Sequence, residues 1–234
     1  MSANAGKSGS GDERRDDSIC VLGIGNLLWA DEGFGVRCIE TLQQRWEFAP
    51  HVQLVDGGTQ GLYLIQHVQG AGKLLIFDAV DYGLAPGTLH CVENEEVPRF
   101  LGAKKMSLHQ TGFQEVLMLA QLTEQYPAQV LLIGCQPEEL EDYGGSLRPV
   151  VRQAMEDALA LAVDALRAWG AQPRPRVQPL SEDEAVGFRP LALDLYEGER
   201  PPEALACRTG DERFFPDSEL LTAAARAAAR AAEA

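Results

Sequence analysis

The chain has 234 residues, 45% of them hydrophobic, and a formal net charge of −15. That is enough apolar material for the core of one large or two small domains, and the acidity excludes nucleic acid or an anionic membrane as the main partner. No apolar run is long enough to insert into a membrane, and the N-terminus lacks the apolar stretch of a secretory signal. The five cysteines are scattered and odd in number. With no C-x-x-C pair they read as buried free thiols in a reduced, cytoplasmic compartment.

Residues 1–18 are Gly, Ser and charge, and are expected to be disordered. Ile19 to Ile24 forms an apolar run that breaks at Gly23, Gly25 and Asn26. A helix restarts near Asp31–Glu32 and runs to Trp46, with Phe34, Cys38, Ile39 and Leu42 at helical spacing. Strand, sharp turn and helix are the opening unit of a βαβ protein. Gly33 and Gly35 disfavour that helix, which points to close packing or close approach at its start. A second strand covers Val52, Leu54 and Val55 and ends at Asp56; Gly57-Gly58-Thr59 turns the chain into a helix over 61–68.

Lys73 to Val80 is continuously apolar until Asp78, as in a strand buried on both faces of a parallel sheet. Thr88 to Glu93 reads as an edge or antiparallel strand. Ser107 and Gln110 fit a capping box for a helix to about Glu124. Gln129 to Cys135 is a further buried strand, and Pro149 suits the first turn of a helix reaching Trp169. The alternation predicts a three-layer α/β sandwich, with a twisted, mostly parallel sheet of about five strands between helices. One domain over 19–170 is expected, followed over 171–234 by a Pro-rich linker and an acidic, Ala-rich extension. Within that extension LALDLYEG and FFPDSELL are apolar enough to pack.

Glu32, Asp56, Asp78 and His109 all fall at strand ends or helix starts. In a parallel sheet those positions meet at the carboxyl edge, where ligands gather. A carboxylate inside LLIFDAV needs a partner, because an unpaired buried charge costs several kcal/mol, ~3 or more, or is neutralised. Glu32, Asp78 and His109 form a mixed oxygen and nitrogen set suited to nickel or zinc, able to polarise a carbonyl or activate water. The structural use of the same residues is a turn acceptor, a helix-start acid and a solvated cap. Trp29, Phe34 and Tyr63 are further candidates for a recognition cleft. Core packing is expected for Phe34 and Tyr63, and exposure for Trp29. Gly23-x-Gly25 is half of a dinucleotide fingerprint, but position 28 is Leu rather than Gly. A nucleotide-binding α/β enzyme is thus an alternative, as is a metal-checkpoint or chaperone module that binds without cleaving.

GIGNLLWADEGFGV, VDGGTQG, IFDAVDYG, PGT, SLHQ and GCQPE occur in this order. Together they resemble the [NiFe]-hydrogenase maturation endopeptidases, in particular those serving membrane-bound uptake hydrogenases. The likeness covers roughly 19–167 and leaves out the tail. It implies an aspartyl-type protease that removes a short C-terminal extension from the hydrogenase large-subunit precursor after nickel insertion, with nickel as the recognition signal. It implies metal contact by Glu32, Asp78 and His109, and a role in processing for Asp56. Gly57, Gly58 and Thr59 would border the substrate backbone, the glycines permitting close approach.

Overall fold

The computed structural model describes residues 17–102, 108–178, 180, 184–187 and 191–198. Strands β1 (Ile19–Ile24), β2 (Trp46–Glu47), β3 (Val52–Gly58), β4 (Lys73–Ala79), β5 (Leu89–Glu93), β6 (Gln129–Cys135) and β7 (Arg174–Pro175) alternate with helices. The helices are α1 (Phe34–Arg45), α2 (Ile65–Gly70), α3 (Glu96–Gly102), α4 (Leu108–Leu122), α5 (Pro149–Ala168) and α6 (Leu193–Gly198). Short 3-10 turns at Ala30–Gly33 and Gly61–Leu64 lead into α1 and α2. The main sheet has the order β3-β1-β4-β6-β5. Its first four strands are parallel and β5 runs antiparallel at the edge. This is the mostly parallel, helix-flanked sheet that the sequence predicts.

Two apolar layers sandwich the sheet. Val21, Leu75, Phe77 and Ile133 pack with α1 and α5. Leu22, Leu74, Ile76 and Leu132 pack on the opposite face with α2, α3 and α4. The continuous apolar character of β1, β4 and β6 is therefore used on both faces. Each fully buried large side chain is worth about 1.5–3 kcal/mol.

Gly35 sets how α1 meets the sheet. A Cβ there would lie 2.3 Å from the carbonyl oxygens of both Ile24 and Phe77, and one on Gly23 would lie 2.3 Å from Gly35 O. The helix start thus rests directly on backbone.

Several elements differ from the sequence expectation. The helix expected from Asp31 opens as the 3-10 turn, and α1 proper starts at Phe34. Strand β3 continues past Asp56 to Gly58. Helix α3 was not anticipated; its Pro98 sits in the first turn, where no helical N–H is lost, and Val97 and Leu101 carry it onto the core. Tyr63 is not core but 81% exposed, because the Gly61–Leu64 turn directs only Leu64 inward. Cys20, Cys38 and Cys135 are buried free thiols, whereas Cys91 is exposed on the outer side of edge strand β5. Residues 1–16, Ser107, Cys207 and FFPDSELL lie outside the described residues.

The proline-rich stretch after Trp169 is docked rather than free. Its β7 pairs antiparallel with β2. Arg176 donates to Gln43 O at 3.1 Å, and the Gln43 side chain donates to Glu184 O at 2.7 Å and accepts from Val186 N–H at 2.6 Å. Glu197 on α6 is paired with Arg152 of α5 and accepts from Ser146 Oγ at 2.5 Å. The described residues between 171 and 198 thus form a strap fastened to α1 and α5.

Gly35→Ala is expected to lower the free energy of unfolding by about 3 kcal/mol, the upper range for overpacking. Gly70→Ala, whose methyl meets nothing within 4 Å, is expected to change it by less than about 0.5 kcal/mol. Urea denaturation of both variants checks the contrast.

Candidate active site

The strand register brings the expected acids to one edge of the sheet. Asp56 pairs with Gly23, Gly23 with Phe77, and Asp78 with Gly134. The pleat then divides them, since alternate residues point to opposite faces. Asp78 follows Leu74 and Ile76 onto the α2–α4 side, whereas Asp56 follows Val52 and Leu54 onto the α1–α5 side. They share an edge but not a face.

Asp78 is 2% exposed. Its neighbour Tyr82 places its hydroxyl over Gly134, where any Cβ would collide with it. Burial, reinforced by the Asp78 charge, holds the Tyr82 phenol well above its ordinary range. Glu32 lies on the 3-10 turn that packs against β4. It is half-buried, and that burial raises its carboxyl pKa. His109 is the second residue of α4; its side chain lies outside the described residues. The first turns of α4 border the same edge, with Gly112 close to Gly61: a Cβ on Gly112 would be 3.5 Å from Gly61 Cα. Among the described residues no three His, Cys, Asp or Glu side chains form a metal-holding group. Glu32 and Asp78 are the two described members of the expected set.

Gly58 adopts φ +45°. Its N–H donates to the Asp56 carboxylate; this bond and Arg37 partly offset the burial that raises the Asp56 pKa. Gly57 has its open side filled, since a Cβ would sit 2.9 Å from Ile24 Cδ1. Its glycine is demanded by packing, and Gly58 and Thr59 carry the accessible part of the turn, with Thr59 exposed. Gly25 does not cradle an anion. A Cβ there would lie 1.9 Å from Glu32 O, and Asn26 N–H donates to that oxygen at 3.1 Å. The Gly25 N–H is likewise taken, donating to Gly58 O at 3.0 Å, so both amides serve the fold.

Asp31, read from the sequence only as a helix-start residue, is fully buried. Its Oδ2 accepts N–H bonds from Glu138 and Glu139, both at 2.9 Å, and its Oδ1 accepts from Arg148 N–H at 2.7 Å. It ties the Glu32 turn to the loop after β6. Gln136 makes the matching tie to the loop after β4: its Oε1 accepts from Tyr82 N–H at 2.7 Å and Leu84 N–H at 3.1 Å. Its Nε2 donates to Asp81 Oδ1 at 2.9 Å. Arg37 and Glu40, joined at 2.7 Å, are buried on the inner side of α1. The signal that could have revealed them is charge at the buried phase of an amphipathic helix, one turn beyond Phe34. Trp29 is half-buried, stacked edge-on against Tyr143 with centroids 5.2 Å apart.

The family model described as hydrogenase maturation protease matches residues 36–165. The chain is 71% identical over 198 residues to hydrogenase expression/formation protein HoxM of Cupriavidus necator, covering 85% of this chain and 98% of that one. It is 41% identical over 159 residues to the hydrogenase 2 maturation protease of Escherichia coli, covering 68% and 96%. Among solved structures, the hydrogenase maturating endopeptidase HybD from E. coli superposes with a TM-score of 0.65 at 39% identity, over 68% of this chain and 98% of that one.

Asp31→Ala strands three backbone N–H groups and is expected to cost about 3 kcal/mol or more in urea denaturation. Glu32 has the opposite sense. Its folded pKa is raised above the ordinary 4.5. The stability it contributes is therefore complete below the unfolded value and is lost as pH rises through the folded value. Glu32→Gln is expected to match the parent near pH 4, within about one unit of the ordinary carboxyl value, and to melt above it at neutral pH. Melting temperatures across that range measure the difference.

Proposed function

The chain belongs to the hydrogenase maturation protease family and is an endopeptidase, and from that premise we propose that it removes a short C-terminal extension from a nickel-loaded [NiFe]-hydrogenase large-subunit precursor in the cytoplasm. No helix among the described residues is long and apolar enough to cross a membrane, in keeping with action on a precursor before export or membrane assembly. The observation that carries the reading is Asp78: a carboxylate 2% exposed at the end of β4, beside the turn that bears Glu32. Such a group suits a cation delivered by the substrate, because burial strengthens the attraction between them.

In this account nickel is part of the substrate. Glu32, Asp78 and His109 are the side chains that engage it, two carboxylates and an imidazole whose donor atoms suit a borderline divalent ion. A site with two acids separates loaded from empty precursor by charge rather than shape. Asp56, on the other side of the strand ends, acts on the peptide rather than on the metal. The substrate segment then crosses the carboxyl edge, with its metal on the α4 side and its scissile bond on the α1 side. Gly58 and Thr59 offer an accessible backbone turn along that path, supported from beneath by Gly57.

Asp56 serves as the aspartyl base. Burial lifts its pKa toward the working pH, which favours proton transfer in both directions. It accepts a proton from the attacking water as oxygen adds to the carbonyl carbon. It returns that proton to the amide nitrogen as the C–N bond breaks.

Asp78→Asn and Glu32→Gln are each expected to slow cleavage of nickel-loaded precursor by about 30-fold or more, the range for removing one member of a buried charged contact. Asp56→Asn is expected to abolish cleavage while still forming the complex. Intact mass and gel filtration of loaded and nickel-free precursor check both; unchanged cleavage by all three variants would refute the assignment.

A further inference from the structure

Arg37 is 3% exposed, and its Nη1 donates to Glu40 Oε2 and to Leu191 O of the strap, both at 2.7 Å. Its guanidinium carbon lies 5.6 Å from the centre of the Tyr196 ring on α6. The second oxygen of Glu40 faces the strap as well. A Cβ on Gly187 would lie 3.2 Å from Glu40 Oε1 and 3.7 Å from Asp56 Oδ2. Gly187 has φ +98°, so glycine is what lets the strap close over both carboxylates. The strap and α1 therefore enclose one guanidinium with Glu40 and Asp56, and Asp194 of α6 acts on Glu40 from outside.

We propose that Arg37, paired with Glu40 and clamped by the strap, is a positioning residue for Asp56. This rests on Asp56 being the base. Arg37 reaches no substrate itself; held by Glu40 beneath the strap that closes on Asp56, it acts on that carboxylate by charge, while the Gly58 N–H holds it from its own turn. The strap thus supplies part of the catalytic framework although it lies beyond α5. Among the described residues, Arg37 of α1 acts on Asp56, and Asp56 and Asp194 act on Glu40. Arg37 is the cation among them and favours the ionised form of Asp56.

The test compares Glu40→Gln with Arg37→Gln/Glu40→Gln. In this background the loss of the guanidinium leaves no lone buried carboxylate at position 40. Two quantities are followed: the carboxyl-carbon NMR titration of Asp56, assigned with Asp56→Asn, and the pH profile of kcat/KM on nickel-loaded precursor. Removing Arg37 is expected to move the Asp56 titration and the acid limb upward together by about one pH unit. It should lower kcat by about 10-fold, as expected for a base held less well, with little change in KM. Arg37→Lys/Glu40→Gln, which keeps the charge, should return the limb to its place. Coincident titrations in all three variants would overturn the proposal. A shifted titration with an unmoved cleavage profile would support the charge coupling of Arg37 to Asp56 but refute Asp56 as the base. Absence of cleavage by the parent would refute the proposed function itself.

Discussion

A methyl group at position 35 has nowhere to go. The carbonyls of Ile24 and Phe77 each stand 2.3 Å from where it would be, so α1 can rest on the ends of β1 and β4 only because residue 35 is glycine. The cost of glycine near a helix start is about 1 kcal/mol. Against that stands a geometry no other residue permits. The Glu32 turn is pressed toward β4, Phe34 enters the core, and Arg37 and Glu40 are carried one turn further along, toward the end of β3. Both halves of the site hang from this one backbone contact.

The acids around that contact fall into two physical classes. Asp31 is enclosed but accepts three backbone N–H bonds, and it holds two loops together. Glu32, Glu40 and Asp56 are enclosed with less compensation, and burial is the leading cause of their raised pKa values. Groups of the first class stabilise the fold. Groups of the second oppose it at neutral pH and are kept for what they do. The pleat of the sheet also keeps Asp56 apart from Asp78, with Asp56 facing α1 and Asp78 facing α4. Recognition of charge and cleavage of the peptide can then occupy adjacent spaces without the acids repelling one another at close range.

The strands of the main sheet were legible because β1, β4 and β6 are largely apolar runs, and an acid inside such a run stands out, as Asp78 does; the short pair β2 and β7 was read as a helix end and a linker. The edge position of β5 was legible from its weak alternation. Other features depend on contacts distant in sequence. Asp31 reads as an ordinary helix-start acid until Glu138, Glu139 and Arg148 are seen to point their amides at it. The strap reads as a linker because its prolines and charges cannot build a core; its attachments are to Gln43, Arg37 and Arg152, more than forty residues away in each case. Convergence of Asp56 with Asp78 was inferred from strand ends alone. That inference is right for the edge and silent on the face, because one residue of register reverses the direction of a side chain.

The proposed function depends on this chain's carboxylates engaging the nickel its substrate carries. The most direct test is the nickel K-edge absorption spectrum of loaded precursor, free and in complex with the Asp56→Asn protein. The account predicts additional oxygen or nitrogen donors on nickel in the complex, lost when Asp78→Asn is added to the same protein. A spectrum unchanged on complex formation would contradict it and leave Glu32 and Asp78 as structural residues.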